Sequence, residues 1–287
     1  MSFLRVLAAS GAVALGLAAC SGSGDSSDAG ADVVYGHHYA DAATFEAEAA
    51  AKVPWNRLTV HDGAVLGHAR IRSIYIGKEG VDASPSFDSY LEWLVTSQNW
   101  WGAYLAQYDV GYGSFDGFTR IDTDAFFLPG MVTNGFVNWV KLQERIGQII
   151  HAVPSDAGVA DADTDASTSQ VPPIPHADAY VFFLPDGVNV DLGNNQSTCA
   201  NAGGYHDWDG QEPYAIIPPC GRYRLVVSHE LAEMVTDAIP GQGWYSDPDQ
   251  NSSGGEIGDL CNQLTSVDGQ QVTMLWSNKD GDCEPSQ

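Results

Sequence analysis

Basic residues are scarce in this chain. Lysine and arginine together number 12 against 37 aspartates and glutamates, a formal net charge of −25 over 287 residues. Such a surface cannot neutralise phosphates, which excludes nucleic acid as a partner, and an anionic membrane surface would repel it. Several motifs are also missing. There is no Gly-x-Ser-x-Gly, no phosphate-binding loop and no dinucleotide fingerprint, which removes the commonest nucleophile and nucleotide chemistries. No Cys-x-x-Cys spacing occurs, so a Cys-ligated zinc is disfavoured. No internal repeat is found, and the one apolar N-terminal run, residues 6–19, is too short to span a bilayer.

What is present centres on Ser228-His229-Glu230-Leu231-Ala232-Glu233. Helical residues four apart share a face, so His229 and Glu233 can address one ion with Glu230 beside them. This is the His-Glu-x-x-His arrangement of zinc hydrolases with its second His replaced by Glu, and a carboxylate is an accepted zinc ligand. Residues 222–237 read as one helix, with Leu225, Val226, Leu231, Met234 and Val235 as an apolar stripe and Pro240-Gly241 as its stop. Downstream, Glu256 and Asp259 stand in a Gly-rich segment. Glu256 is the first candidate for third ligand and Asp259 the second; the competing reading is that both pin a turn. His206, in Gly203-Gly204-Tyr205-His206, reads as lying on a flexible loop from which it could ligate or stabilise charge, or simply bond its own backbone.

Ser-His-Glu-Leu-Ala-Glu with Thr236-Asp237, then Gly243-Trp244-Tyr245 and Gly255-Glu256-Ile257-Gly258-Asp259-Leu260-Cys261, resembles the EXORDIUM or phosphate-induced protein family. The likeness extends upstream through residues 214–218, 203–206 and 180–185, toward the strand at 71–76. Ala238-Ile239-Pro240 departs from it, because relatives run Asp-Pro directly after the Thr. The resemblance implies a secreted, cell-exterior protein in a family linked to growth responses, to which no chemistry is firmly attached.

The N-terminus has a short basic start and a small apolar run ending in Leu17-Ala18-Ala19-Cys20, similar to a bacterial lipoprotein signal. Residues 1–19 read as the signal peptide and Cys20 as the lipidated residue. Residues 20–34 read as a Ser/Gly/Asp tether, and Ser21 is compatible with outer-membrane sorting. The remaining cysteines, Cys199, Cys220, Cys261 and Cys283, suggest two disulfides in an exported protein. Three pairings exist; the sequential one is favoured because each bridge closes a short loop beside the candidate site.

The rest reads as α+β. Strands are expected at 70–76, 180–184 and 271–277, helices at 86–108 and 137–153, and a mobile insert at about 155–175. Two Asp/Asn-rich turns, Asp247-Pro-Asp249-Gln-Asn251 and Asn278-Lys-Asp280-Gly-Asp282, offer calcium-type oxygens, although the first lacks a Glu at the twelfth position, where Gly258 stands. His37, His38, His61, His68, His151 and His176 have no ligand spacing.

The expectation is therefore an envelope-located, lipid-anchored or secreted protein, with a single zincin-like, metalloprotease-like domain over 35–287. That domain would have a mixed sheet, an active-site-type helix and two disulfides. Zinc would be held by His229, Glu233 and one of Glu256, Asp259 or His206, with Glu230 as base and a peptide or cell-envelope ligand as partner; calcium is a separate reading. The alternative is a non-catalytic surface protein in which the helix is structural.

Overall fold

The alternating β-branched run Arg-Ile-Arg-Ser-Ile-Tyr-Ile forms the central strand, β1 (Arg70–Ile76). The computed structural model describes residues 57–152, 171–246 and 255–285, with backbone alone for 78–85. β1 joins β2 (Ser114–Ile121), β3 (Ala179–Phe183), β4 (Tyr205–Trp208) and β5 (Pro213–Ile217) in a five-stranded sheet of order β2-β1-β3-β5-β4. Four strands run parallel and β4 is the antiparallel edge. The mixed sheet and α+β class agree with the sequence reading.

Successive strand residues point to opposite faces, and both faces are apolar. Ile71, Tyr75, Val181, Phe183 and Ile217 pack with Leu91 and Leu94 of α1 (Gly77–Thr96) and with Val227 and Leu231 of α3 (Tyr223–Thr236). On the other face Ile74, Ile76, Phe182 and Ile216 meet Leu142, Ile146 and Ile149 of α2 (Trp139–Ile150). Helices thus cover both sides of the sheet. α2 starts where Asn138 Oδ1 accepts the Val140 and Lys141 amides at 3.1 and 3.4 Å, a side-chain cap. His151 occupies its C-terminal cap.

The expected helix over 86–108 is interrupted. α1 stops at Thr96, Ser97 is extended, and a wide turn (Trp101–Leu105) followed by a tight one (Ala106–Tyr108) replaces the continuation. The break lets two adjacent indoles be buried and satisfied: Trp100 Nε1 donates to the Thr273 carbonyl at 3.1 Å and Trp101 Nε1 to the Gly111 carbonyl at 2.8 Å. The late strand is likewise divided. Gln270–Thr273 pairs with Leu264–Val267, and Leu275–Ser277 pairs with Asp282–Glu284.

Cys199 bonds Cys220 and Cys261 bonds Cys283, at sequence separations of 21 and 22. The first bridge encloses β4 and β5, and the second ties the segment after α3 to the terminal hairpin. Among the described residues no helix is long and apolar enough to cross a membrane. The signal at 1–19, Cys20, the tether at 20–34, His37 and His38, most of the 155–175 insert, and Asp247, Asp249 and Asn251 lie outside the described residues.

Serine at both Cys261 and Cys283 should cost about 2–4 kcal/mol, the usual contribution of a bridge closing a loop of this length. Urea unfolding of the oxidised protein and the double variant measures it.

Candidate metal centre

Helix α3 is buried on every side from Leu225 to Thr236. The sequence showed an apolar stripe, but the polar residues Ser228, His229, Glu230 and Glu233 are covered as well. One flank lies against β4, and another meets the tight turns around 256–262, where the Leu260 amide reaches the Glu256 carbonyl at 3.2 Å and the Asn262 amide the Gly258 carbonyl at 2.8 Å. Asp237 closes the helix. Its carboxylate collects the Gly241, Gln242 and Gly243 amides at 2.6, 3.0 and 2.5 Å, ahead of the Pro240-Gly241 stop.

These elements gather two donor groups that share Glu233. In the first, His229 Nε2 lies 3.0 Å from Glu233 Oε1 and 3.3 Å from Asp259 Oδ1. In the second, His206 Nδ1 lies 3.7 Å from Glu233 Oε2 and 3.8 Å from Glu230 Oε2. Within each group the donor atoms all fall within 4.8 Å of one another. Ligand atoms on one metal ion stand about 3–3.5 Å apart, so the first group could hold a metal ion. The Asp259 amide also donates to Glu233 Oε1 at 3.1 Å, fixing that carboxylate.

His206 is on a strand, not on the flexible loop expected from its glycines. It pairs with Ala215 across the β4–β5 ladder, and since Tyr205 packs into the α2-side core, alternation turns His206 toward α3. The following hairpin is fixed by Asp209, whose Oδ1 accepts the Gln211 and Glu212 amides, both at 2.9 Å. On its other side, His206 Nε2 lies 3.2 Å from the Asp237 carbonyl and 3.5 Å from Glu256 Oε1. Glu256, the first candidate for third ligand, therefore faces the far side of His206, and Asp259 is the carboxylate that joins His229 and Glu233.

Two glycines make the close approach feasible. A Cβ at Gly258 would stand 2.8 Å from His229 Nδ1 and 2.9 Å from Glu233 Oε1. At Gly204 it would meet Val226 Cγ1 at 2.6 Å, the Ile216 carbonyl at 2.7 Å and Glu230 Oε1 at 3.2 Å. The helix packs against bare backbone at both positions, and the site occupies the space gained.

The centre is electrostatically costly. Glu230 and Glu256 are fully buried, and burial pushes both carboxyl groups well above the usual range; Glu233 and Asp259 push further, while His229 opposes this for Glu230. Burial would lower the His229 pKa, but Glu233, Asp259 and Glu230 outweigh it and hold that imidazole well above its ordinary value. Neither oxygen of Glu230 accepts a hydrogen bond among the described residues. Buried carboxylates in this condition either take up protons or gain a cation. The Asp259 side chain is 20 % exposed, whereas His229 beside it is fully buried.

The Asn278/Asp280/Asp282 turn directs its oxygens to the protein. Asn278 Oδ1 accepts the Leu58 amide and the Trp276 indole N–H, Asp280 Oδ2 accepts the Ser277 hydroxyl, and Asp282 Oδ1 accepts the Cys283 amide. The sequence reading missed the Asp237 carbonyl against His206. Its one available signal was the position of Asp237, one helical turn beyond Glu233.

Comparison of the chain with family models, with curated proteins and with solved structures gives no match.

Alanine at Gly258 should lower stability by about 1–3 kcal/mol through steric overlap. Alanine at Gly67, where a Cβ would meet nothing nearer than 3.5 Å, should be close to neutral. Urea unfolding of the two variants side by side checks the contrast.

Proposed function

We propose that this chain is an exported metalloprotein whose buried centre takes a zinc ion between His229, Glu233 and Asp259, in a site of metallohydrolase type. The observation that carries the reading is that His229 Nε2 lies 3.0 Å from Glu233 Oε1 and 3.3 Å from Asp259 Oδ1, with all three donor atoms within 4.8 Å of one another. The donor set fits: one imidazole and two carboxylates are ordinary zinc ligands, and an open fourth position is the mark of a catalytic rather than a closed structural site. The sheet with its buried helix supports a zincin-like domain, and the EXORDIUM resemblance supports placement at the cell exterior. Two disulfides suit an oxidising compartment, with anchoring through a lipid on Cys20 as the route of attachment.

Zinc, when bound, supplies Lewis-acid character, acidifying water and polarising a carbonyl. The protein's own part falls to Glu230, next to His229 on α3. Its carboxylate accepts the proton of the water that attacks an amide carbonyl, and returns it to the departing nitrogen. His229 and Glu233 hold the ion, Asp259 completes the set from the partly exposed side, and the Asp259 amide fixes Glu233. With two carboxylate ligands the ion is less electrophilic than between two imidazoles, so hydrolysis should be slow.

The complete burial of Glu230 favours a second reading, in which the ion is structural and the domain binds a cell-surface ligand without turnover. Glu230→Gln separates the two. Under the hydrolytic reading it keeps the metal and loses peptide cleavage by about 10²-fold or more; under the structural one no cleavage exists to lose.

Elemental mass spectrometry of the purified protein should find zinc that is lost in His229→Ala. Metal in neither protein, or equal metal in both, would refute the assignment. Glu233→His, which restores the two-imidazole pattern, should retain or tighten zinc; unchanged metal content together with a lower melting temperature would mean that Glu233 is a hydrogen-bonding residue and not a ligand.

A further inference from the structure

The first donor group uses one oxygen of Glu233 and leaves the other directed at His206. The Asp237 carbonyl can only accept, so the 3.2 Å contact requires the proton of His206 to sit on Nε2. In the neutral ring Nδ1 then presents a lone pair, and it faces Glu230 Oε2 at 3.8 Å and Glu233 Oε2 at 3.7 Å. Three electron-rich atoms thus converge on one point, and Glu230 is fully buried with no hydrogen-bond donor on either oxygen. The other side of the imidazole has the support that metal-bound histidines ordinarily have, a backbone carbonyl with a carboxylate close by, here Asp237 and Glu256. A divalent cation can accept all three lone pairs at once.

We infer that the centre holds a second divalent cation, between His206 Nδ1, Glu230 Oε2 and Glu233 Oε2, bridged to the first through the Glu233 carboxylate. This rests on the proposed function for the first position. The separation typical of two-metal sites, about 3.5–4 Å, is the reach of one bridging carboxylate. Glu230 then has two states: a base while the second position is vacant, and a ligand once it is filled.

The experiment is metal uptake by the full chain. Protein stripped with a chelator is titrated with zinc and, separately, with manganese, and uptake is counted by elemental mass spectrometry. About two equivalents are expected for the parent protein, falling to about one in His206→Phe and in Glu230→Gln, with the manganese-loaded parent showing the exchange-coupled paramagnetic resonance signal of a bridged pair. Glu230→Gln is nearly isosteric, so it answers the question even if His206→Phe does not fold, and the near-ultraviolet circular dichroism of each variant reports its packing. A single equivalent that is unchanged in both variants but lost in His229→Ala would overturn the second position and leave the first standing. No uptake by the parent would overturn both. Two uncoupled ions insensitive to His206 would place the second elsewhere and overturn the bridge.

Discussion

Carboxylates set side by side out of water repel one another with little screening, and the arrangement around Glu233 makes the rest of the domain answer to that repulsion. Glu230, Glu233 and Glu256 are fully buried, and among the described residues the arginine–carboxylate pairs, Arg70 with Asp178 and Arg72 with Asp116, lie elsewhere. Two histidines and the amides of neighbouring turns are what the described residues bring to them. His206 enters from the edge strand, His229 from the helix, and the Asp259 amide from a turn more than twenty residues later. Each is there because an apolar neighbour carries it. Tyr205 packs into the core on one side of the strand, Leu231 and Val227 into the core on the other, and Ile257 into that same core between Glu256 and Gly258. The hydrophobic effect positions the segments, and charge decides what must be bound where they meet.

The helix carrying the site was legible because its motif is local. Residues four apart on a helix share a face whatever the surroundings, so His229 and Glu233 could be paired from sequence alone. The strand at 70–76 was legible from its alternation and β-branching, and the one expected at 180–184, found at 179–183, from a short apolar run bounded by turn residues, both being properties of a few consecutive residues. Choosing between Glu256 and Asp259 was not a local question. The two are three residues apart on a turn that reverses direction, so they face opposite sides of His206 and His229, and only the hydrogen bonds inside that turn decide which goes where. His206 illustrates the opposite error. Its glycines suggested a flexible loop, but Gly204 is there because the helix approaches too closely for a side chain, and ladder pairing with β5 overrides the local preference.

The full burial of α3 was not legible from its sequence for a related reason. An apolar stripe on a helix ordinarily implies a solvated opposite face. Here that opposite face is occupied by the centre, and the polar residues mark an interior site instead of a boundary with water. The break after α1 was equally invisible, because it answers to two indole N–H groups that needed separate acceptors, in Thr273 and Gly111.

The two disulfides take on a further meaning once the centre is placed. His206 lies inside the loop closed by Cys199 and Cys220, and Asp259 lies two residues from Cys261. The first bridge holds the His206 segment in a short closed loop and the second pins the end of the Asp259 segment, while the approach of both segments to α3, which lies outside both loops, is left to packing. The bridges therefore stiffen the pieces that carry His206 and Asp259, and the hydrophobic core sets how far those pieces stand from the helix.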